Sequence, residues 1–152
     1  MKSELKVGDN QLQITRTFDA PRHLVFSFWK EVERLEQWWG CKDTTKLECQ
    51  IDFRVGGLFS CVMQIRGAGE FTYNGQYDEI IEPEKIAYHA DFGPTTTRVV
   101  VEFLEQGSQT KMVLTQVGFP SQEICGMVSQ GTNESFDKLA AALASQALVR
   151  SI

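Results

Sequence analysis

Residues 122–147, QEICGMVSQGTNESFDKLAAALASQA, decide the fold. Pro120 and Ser121 precede them. The Ser121 side chain suits the capping of the first free helical N–H groups, and Glu123 lies near the positive end of the helix dipole. At about 100° per residue, Ile124, Val128, Leu139, Ala142 and Leu143 share one face, with Phe136 at its edge. Glu123, Gln130, Asn133, Glu134, Asp137 and Lys138 fall on the other. The spacing predicts a long amphipathic helix with one buried side. Gly131, Thr132 and Ser135 occupy the middle of the apolar arc, where a packed core carries bulk. Two readings stand. Either a β-sheet approaches so closely that small residues are required, or the helix roofs a hollow.

Ahead of that helix the pattern is almost all strand. Leu12, Ile14, Thr15, Thr17 and Phe18 suit a first strand over residues 11–19. Ala20-Pro21 breaks it, with Pro21 well placed at a helix start and Asp19 as a possible cap. Leu24, Val25, Phe28, Trp29, Val32 and Leu35 then recur at helical spacing over 22–35. A short segment over 36–39 stops at Gly40. Strands are predicted over 44–53, 58–65, 71–81, 85–92, 95–104 and 110–117. Their turns are Gly56-Gly57, Gly67-Ala68-Gly69, Glu82-Pro83-Glu84, Gly93-Pro94 and Gln106-Gly107-Ser108. Such short connections indicate an antiparallel meander. Strand, helix pair, six strands and long helix imply an α+β fold, a twisted sheet burying one face against the C-terminal helix.

The chain has 152 residues and a net charge of −5, which predicts one domain, 1–152, with its core over about 11–147. An acidic balance without a Lys/Arg cluster argues against nucleic acid as partner. No run of about 18 apolar residues spans a membrane. The polar N-terminus has no signal-peptide core, so a cytoplasmic location is expected. Cys41, Cys49, Cys61 and Cys125 are scattered, and His23 and His89 lie in no metal-binding motif. Reduced, mostly buried thiols, no metal and no cofactor are expected.

Phe18-Asp19-Ala20-Pro21, Val25-Phe26, Trp29, Leu35 and Trp38-Trp39-Gly40 form one block of a recognisable pattern. Asp52, Arg54, Gly56-Gly57 and Phe59 form a second; Gly75-Gln76-Tyr77-Asp78-Glu79-Ile80, Pro83-Glu84 and Ile86 a third. Thr97, Val99, Phe103, Glu105, Thr110, Leu114-Thr115, Gly118-Phe119-Pro120 and residues 131–143 complete it. In order and spacing, over about residues 12–144, the chain resembles the family of homologues of the activator of heat-shock-protein-ninety ATPase. That family lies within the START-like (SRPBCC, birch-pollen-allergen-like) superfamily. The resemblance implies a helix-grip fold: a curved antiparallel sheet wrapped around the long C-terminal helix, two short helices after the first strand, and often a cavity between sheet and helix. Two positions depart from it. Such proteins often carry Trp where this chain has Thr132, and His where it has Gln116. The first change removes a large ring near the presumed cavity, and the second a titratable group.

Alternation predicts which side chains face inward. Phe59, Cys61 and Met63 share a face, as do Tyr73, Gly75 and Tyr77, then Thr97, Val99, Val101 and Phe103, then Met112, Leu114 and Gln116. Together these suit a lipophilic pocket with few polar points, and equally a solid core. Trp38-Trp39 either anchor the short helix or stack on a ligand at a cavity mouth. Tyr73, Tyr77 and Tyr88 either pack in the sheet or bring hydroxyls to its concave face. The candidate cavity lining is Trp38, Trp39, Phe59, Met63, Tyr73, Tyr77, Tyr88, Val99, Phe103, Leu114, Gln116, Phe119, Val128, Gly131, Thr132 and Ser135. Gly56-Gly57 lacks the following helix of a phosphate loop. Asp52, Arg54 and Glu79 suit an ion pair across strands. No catalytic constellation stands out, and an enzyme is not expected. Were the chain a cyclase or hydrolase, Tyr77, Tyr88, His89 and Gln116 would be the polar groups available. The expected function is a non-catalytic module binding a hydrophobic small molecule, lipid or polyketide-like. The alternative partner, implied by the resemblance, is a heat-shock chaperone.

Overall fold

The computed structural model describes residues 2–92 and 95–151; the Gly93-Pro94 turn lies outside them. Eight strands, β1 (Glu4–Val7), β2 (Gln11–Phe18), β3 (Thr44–Ile51), β4 (Leu58–Ile65), β5 (Gly69–Ile81), β6 (Lys85–Phe92), β7 (Thr95–Gln106) and β8 (Gln109–Val117), form one sheet. Its order is β1-β2-β8-β7-β6-β5-β4-β3, with every described pair antiparallel. Helices α1 (Arg22–Lys30) and α2 (Val32–Leu35) follow β2, and α3 (Gln122–Ser151) ends the chain.

The expected α+β helix-grip architecture is present, with three corrections. First, β1 precedes the strand expected to come first and pairs with it, Leu5 opposite Ile14. Second, the first helix breaks at Glu31, whose backbone is extended (φ −96°, ψ 125°), rather than running to Leu35. The break deprives the Phe28 carbonyl of its helical partner four residues on, and the Trp38 indole N–H donates to it instead at 2.9 Å. Third, the buried residues of α3 are Cys125, Ser129, Ser135, Phe136, Leu139 and Leu143. Phe136 therefore stands at the centre of the buried face, edge-on to Phe18 at 6.3 Å, and Ile124 and Val128 lie on a half-buried flank. The Ser121 cap forms as expected, its hydroxyl accepting the Ile124 N–H at 3.2 Å.

The strand faces follow alternation. Phe59, Cys61, Met63, Tyr73, Tyr77, Thr97, Val99, Val101, Phe103, Met112, Leu114 and Gln116 are all buried on the inner side. Gly57 is glycine because a Cβ there would lie 1.9 Å from the Asp52 carbonyl oxygen, and Gly75 because one would lie 2.2 Å from the Phe59 ring. Asp52 and Arg54 do pair, at 2.8 Å, but both are exposed within the β3–β4 turn. Glu79 is not their partner; it bonds Lys85 at 2.7 Å.

The row formed by Leu12, Ile14 and Phe18 also contains Arg16, only 3% exposed. Its guanidinium meets Asp137 at 2.8 Å and Asn133 Oδ1 at 2.9 Å on α3, and Ser3 Oγ at 2.7 Å. The polar side of α3 is therefore tied to β2 rather than left to solvent. Replacing Arg16 with Met keeps the stem and removes these bonds. Equilibrium unfolding in urea is expected to show a loss of about 2 kcal/mol, the scale of hydrogen bonds to a charged group. An unchanged midpoint would mean that Arg16 contributes only its apolar stem.

Candidate functional site

Between the sheet and α3 lies a cavity of about 460 Å³. One wall is α3, through Val128, Gly131, Thr132 and Ser135. The facing loop supplies Trp38, Trp39, Gly40 and Cys41. The inner face of the sheet supplies Met63, Tyr73, Tyr88, Leu114 and Gln116, and the β4–β5 hairpin closes the rim with Ile65, Ala68, Glu70 and Phe71. Its volume falls within the range of small-molecule sites, about 300–1,000 Å³.

Both readings of the small residues on α3 describe part of what is found. A Cβ at Gly131 would lie 3.7 Å from that of Cys41. Ser135 donates to the Gly40 carbonyl at 2.7 Å. The close approach is to the 39–42 loop rather than to a strand, and the adjoining side opens on the cavity. Two more side chains of α3 hold that loop. Lys138 donates to the Trp39 and Cys41 carbonyls at 3.4 and 3.2 Å, and Glu134 accepts the Lys42 N–H at 3.2 Å. Burial lowers the Lys138 ammonium below the ordinary lysine value. Glu134 and Lys138, which helical spacing places opposite the apolar face, thus fix a cavity wall.

Eleven residues of the candidate lining surround this space: Trp38, Trp39, Met63, Tyr73, Tyr88, Leu114, Gln116, Val128, Gly131, Thr132 and Ser135. Phe59 and Tyr77 instead border a void of about 20 Å³, with Trp29, Leu35 and Cys61. That void has room for no more than about one water. The Phe59 ring lies against Gly75 and within 5.2 Å of both Tyr77 and Tyr88. Val99, Phe103 and Phe119 are buried but border neither space. Phe103 faces inward as expected, yet what it meets is Phe26 of α1, at 5.2 Å. Helix α1 covers that part of the sheet. Sequence reasoning missed Trp29, Phe136 and the rim residues Phe71 and Met127. Met127 sits one turn ahead of Gly131 on α3, a spacing that could have signalled it.

The polar points are few. Gln116 donates to Thr97 Oγ1 at 3.0 Å, and Thr97 to the Ala90 carbonyl at 3.1 Å. Tyr73 and Tyr88 are both buried beside the cavity. Burial pushes both phenols above the ordinary tyrosine value, so at neutral pH they are uncharged hydroxyls. His89 stands on the outer face, bonded to Asp78 at 2.9 Å, and does not meet the other polar candidates. Cys61 lies opposite Cys49, and that neighbouring thiol together with burial pushes its pKa up. All four cysteines are thiols. Among the described residues, no three His, Cys, Asp or Glu side chains gather as metal ligands, and no helix is long and apolar enough to cross a membrane. A second, open depression crosses the outer face of the sheet, where Gln50, Leu58, Gln76 and His89 stand.

Residues 19–144 match the family described as Activator of Hsp90 ATPase homolog 1-like protein. Among solved structures, one from Rhizobium leguminosarum is 27% identical, covering 93% of this chain and 99% of that one, with a TM-score of 0.77. A solution structure from Arthrobacter aurescens is 20% identical, covering 95% and 92%, with a TM-score of 0.80. A crystal structure from Rhodobacter sphaeroides is 16% identical, covering 95% and 99%, also with a TM-score of 0.80. The last two likenesses show the fold alone. No curated protein matches the chain.

Proposed function

The chain belongs to the Activator of Hsp90 ATPase homolog 1-like family, and from that premise we propose that it is a binding module holding a lipid or polyketide-like molecule in the cavity beneath α3. One observation carries this reading. About 460 Å³ stands open where a helix and a sheet would ordinarily interdigitate, and its walls are aromatic and aliphatic with a few buried polar groups. Met127, 67% exposed, and Phe71, 38% exposed, extend the apolar surface to the rim.

Native mass spectrometry of the protein purified from its host, with extraction of any retained molecule, tests it. An apolar adduct is expected. Its addition at about a hundredfold above its dissociation constant should raise the melting temperature by about 5–10 °C. A bare mass, with no thermal shift across a lipid and polyketide panel, would overturn the reading. The family's description supports a second one, in which the chain acts on a heat-shock ATPase. It predicts stimulated ATP hydrolysis when the protein is added to such a chaperone.

A further inference from the structure

The sheet has two edges, and they are not protected alike. At β3 a register shift between Thr44 and Lys46 interrupts the ladder, and the outward N–H of Cys49 is taken by Glu36 Oε2 at 2.8 Å. Irregular ladders and covered donors keep an edge from pairing. At the other end stands β1, with no described strand beyond it and every residue exposed. Leu5 and Val7 are 46% and 45% exposed, although they lie opposite Ile14 and Leu12, both fully buried. Apolar side chains on the core side of an open edge are what a further strand would cover.

Hydrogen-bond parity decides which backbone groups of β1 are free. The Gly8 N–H donates across the hairpin to the Gln11 carbonyl at 2.7 Å. Along an antiparallel ladder, successive residues turn their N–H and C=O to opposite sides. Glu4 and Lys6 therefore bond to β2, opposite Thr15 and Gln13, while Leu5 and Val7 turn theirs to the empty side. At Leu5, two copies related by a two-fold axis would exchange both bonds of a ladder pair. The charges suit the same axis. Glu4 and Lys6 flank Leu5, so each Glu4 falls opposite Lys6 of the other copy, in the non-hydrogen-bonded positions where side chains lie closest. An axis through Glu4 or Lys6 would instead oppose like charges. Helix α3 lies over β1 and β2. With strands about 4.8 Å apart, the pairing sets the two copies of α3 about 10 Å apart, where helices pack. Gly126, on the flank shared with Asn133 and Asp137, has nothing within 4 Å of a Cβ position and leaves room for that approach.

We propose that a second copy of this chain pairs with β1, antiparallel and centred on Leu5, joining the two sheets into one. No residue of β1 borders the cavity, so the pairing is independent of what the cavity holds. Sedimentation velocity of the untagged protein over a concentration series tests it, and a monomer–dimer equilibrium is expected. Glu4→Lys sets lysine opposite lysine, and Lys6→Glu sets glutamate opposite glutamate. Both positions are exposed and face uncharged residues of β2. Each variant alone is expected to dimerise about tenfold more weakly or worse. Mixed in equal amounts, the two are complementary again and should form a heterodimer of about native strength, as should the double variant with itself. Leu5→Pro removes the outward N–H without touching a bond to β2 and should leave monomer. Native protein that stays monomeric at millimolar concentration overturns the proposal. So does a dimer indifferent to both charge reversals, and so do single variants that fail to recover each other on mixing. The mixing experiment decides even if Leu5→Pro frays β1.

Discussion

Replacing Thr132 with Trp is expected to abolish small-molecule binding, weakening it at least about a hundredfold, while the melting temperature holds or rises slightly. Thr132 is half-buried on α3 and borders the cavity. A Cβ at Gly131 would meet the loop at Cys41, and Ser135 holds the Gly40 carbonyl, so bulk at Ser135 would break a bond as well as fill space. At Thr132 the indole has the void itself to enter. A Trp side chain brings about 150 Å² or more of apolar surface. At about 25 cal/mol per Å², the contacts it takes from a ligand are worth about 4 kcal/mol, more than the two factors of ten expected. Calorimetric titration beside a thermal melt separates the outcomes. Lost binding with an intact melt places the ligand beneath α3. Unchanged affinity moves it elsewhere, with the open depression on the outer sheet face the next place to test. The same substitution restores the residue that similar proteins often carry, so it also asks whether Thr132 is what opens the space in this chain.

Most of the sheet was legible because its signals are local. Alternation in β4 and β8 fixes which residues turn inward, and β4 and β6 begin and end where the turn residues require. What escaped was structure whose cause is elsewhere in the chain. Every residue of β1 is exposed, so no buried–exposed alternation betrays it; it is a strand because β2 offers an edge. The break at Glu31 leaves the spacing of Phe28, Val32 and Leu35 undisturbed, so periodicity reads straight through it. On α3, Phe136 rather than Val128 takes the buried centre because it meets Phe18, a ring more than a hundred positions away.

The site was legible to the same depth. Alternation identified the inward residues but not what each would meet. Val99 and Phe103 face the same side as Gln116, yet α1 lies over one part of that side and the cavity over another. The register of a helix on a sheet is a tertiary property. The buried Trp29 indole N–H is further still from the sequence, since it finds no acceptor among the described residues of several elements. Trp38-Trp39 illustrate the limit most closely. The sequence allows the pair either to anchor or to line, and both residues border the cavity. What separates them is burial, which adjacent identical residues cannot reveal.

That separation predicts the largest change in stability. Trp38→Ala is expected to cost about 3–5 kcal/mol, the range for deleting a buried aromatic ring, and to lower the melting temperature by about 10 °C. The ring is fully buried, 4.8 Å from Trp29, 5.4 Å from Trp39 and 6.3 Å from Phe136. Removing it also strips the Phe28 carbonyl of the donor that the break at Glu31 makes necessary. Trp38→Phe keeps a ring and deletes that donor, so about 1–3 kcal/mol of the loss should persist. Trp39 is only half-buried, and its ring edges both voids. Trp39→Ala should therefore cost about 1–2 kcal/mol, less than its neighbour, because the solvent-facing part of the ring has little transfer energy to lose. It should instead join the two voids and change which probes bind. Urea unfolding of the three variants, paired with probe titration, tests this division. Equal losses at the two positions would mean that neither tryptophan is the anchor and that the loop is held mainly by Ser135 and Lys138 from α3. A large loss at Trp38, with altered selectivity at Trp39, would show adjacent residues of one type divided between holding the wall and shaping the space behind it.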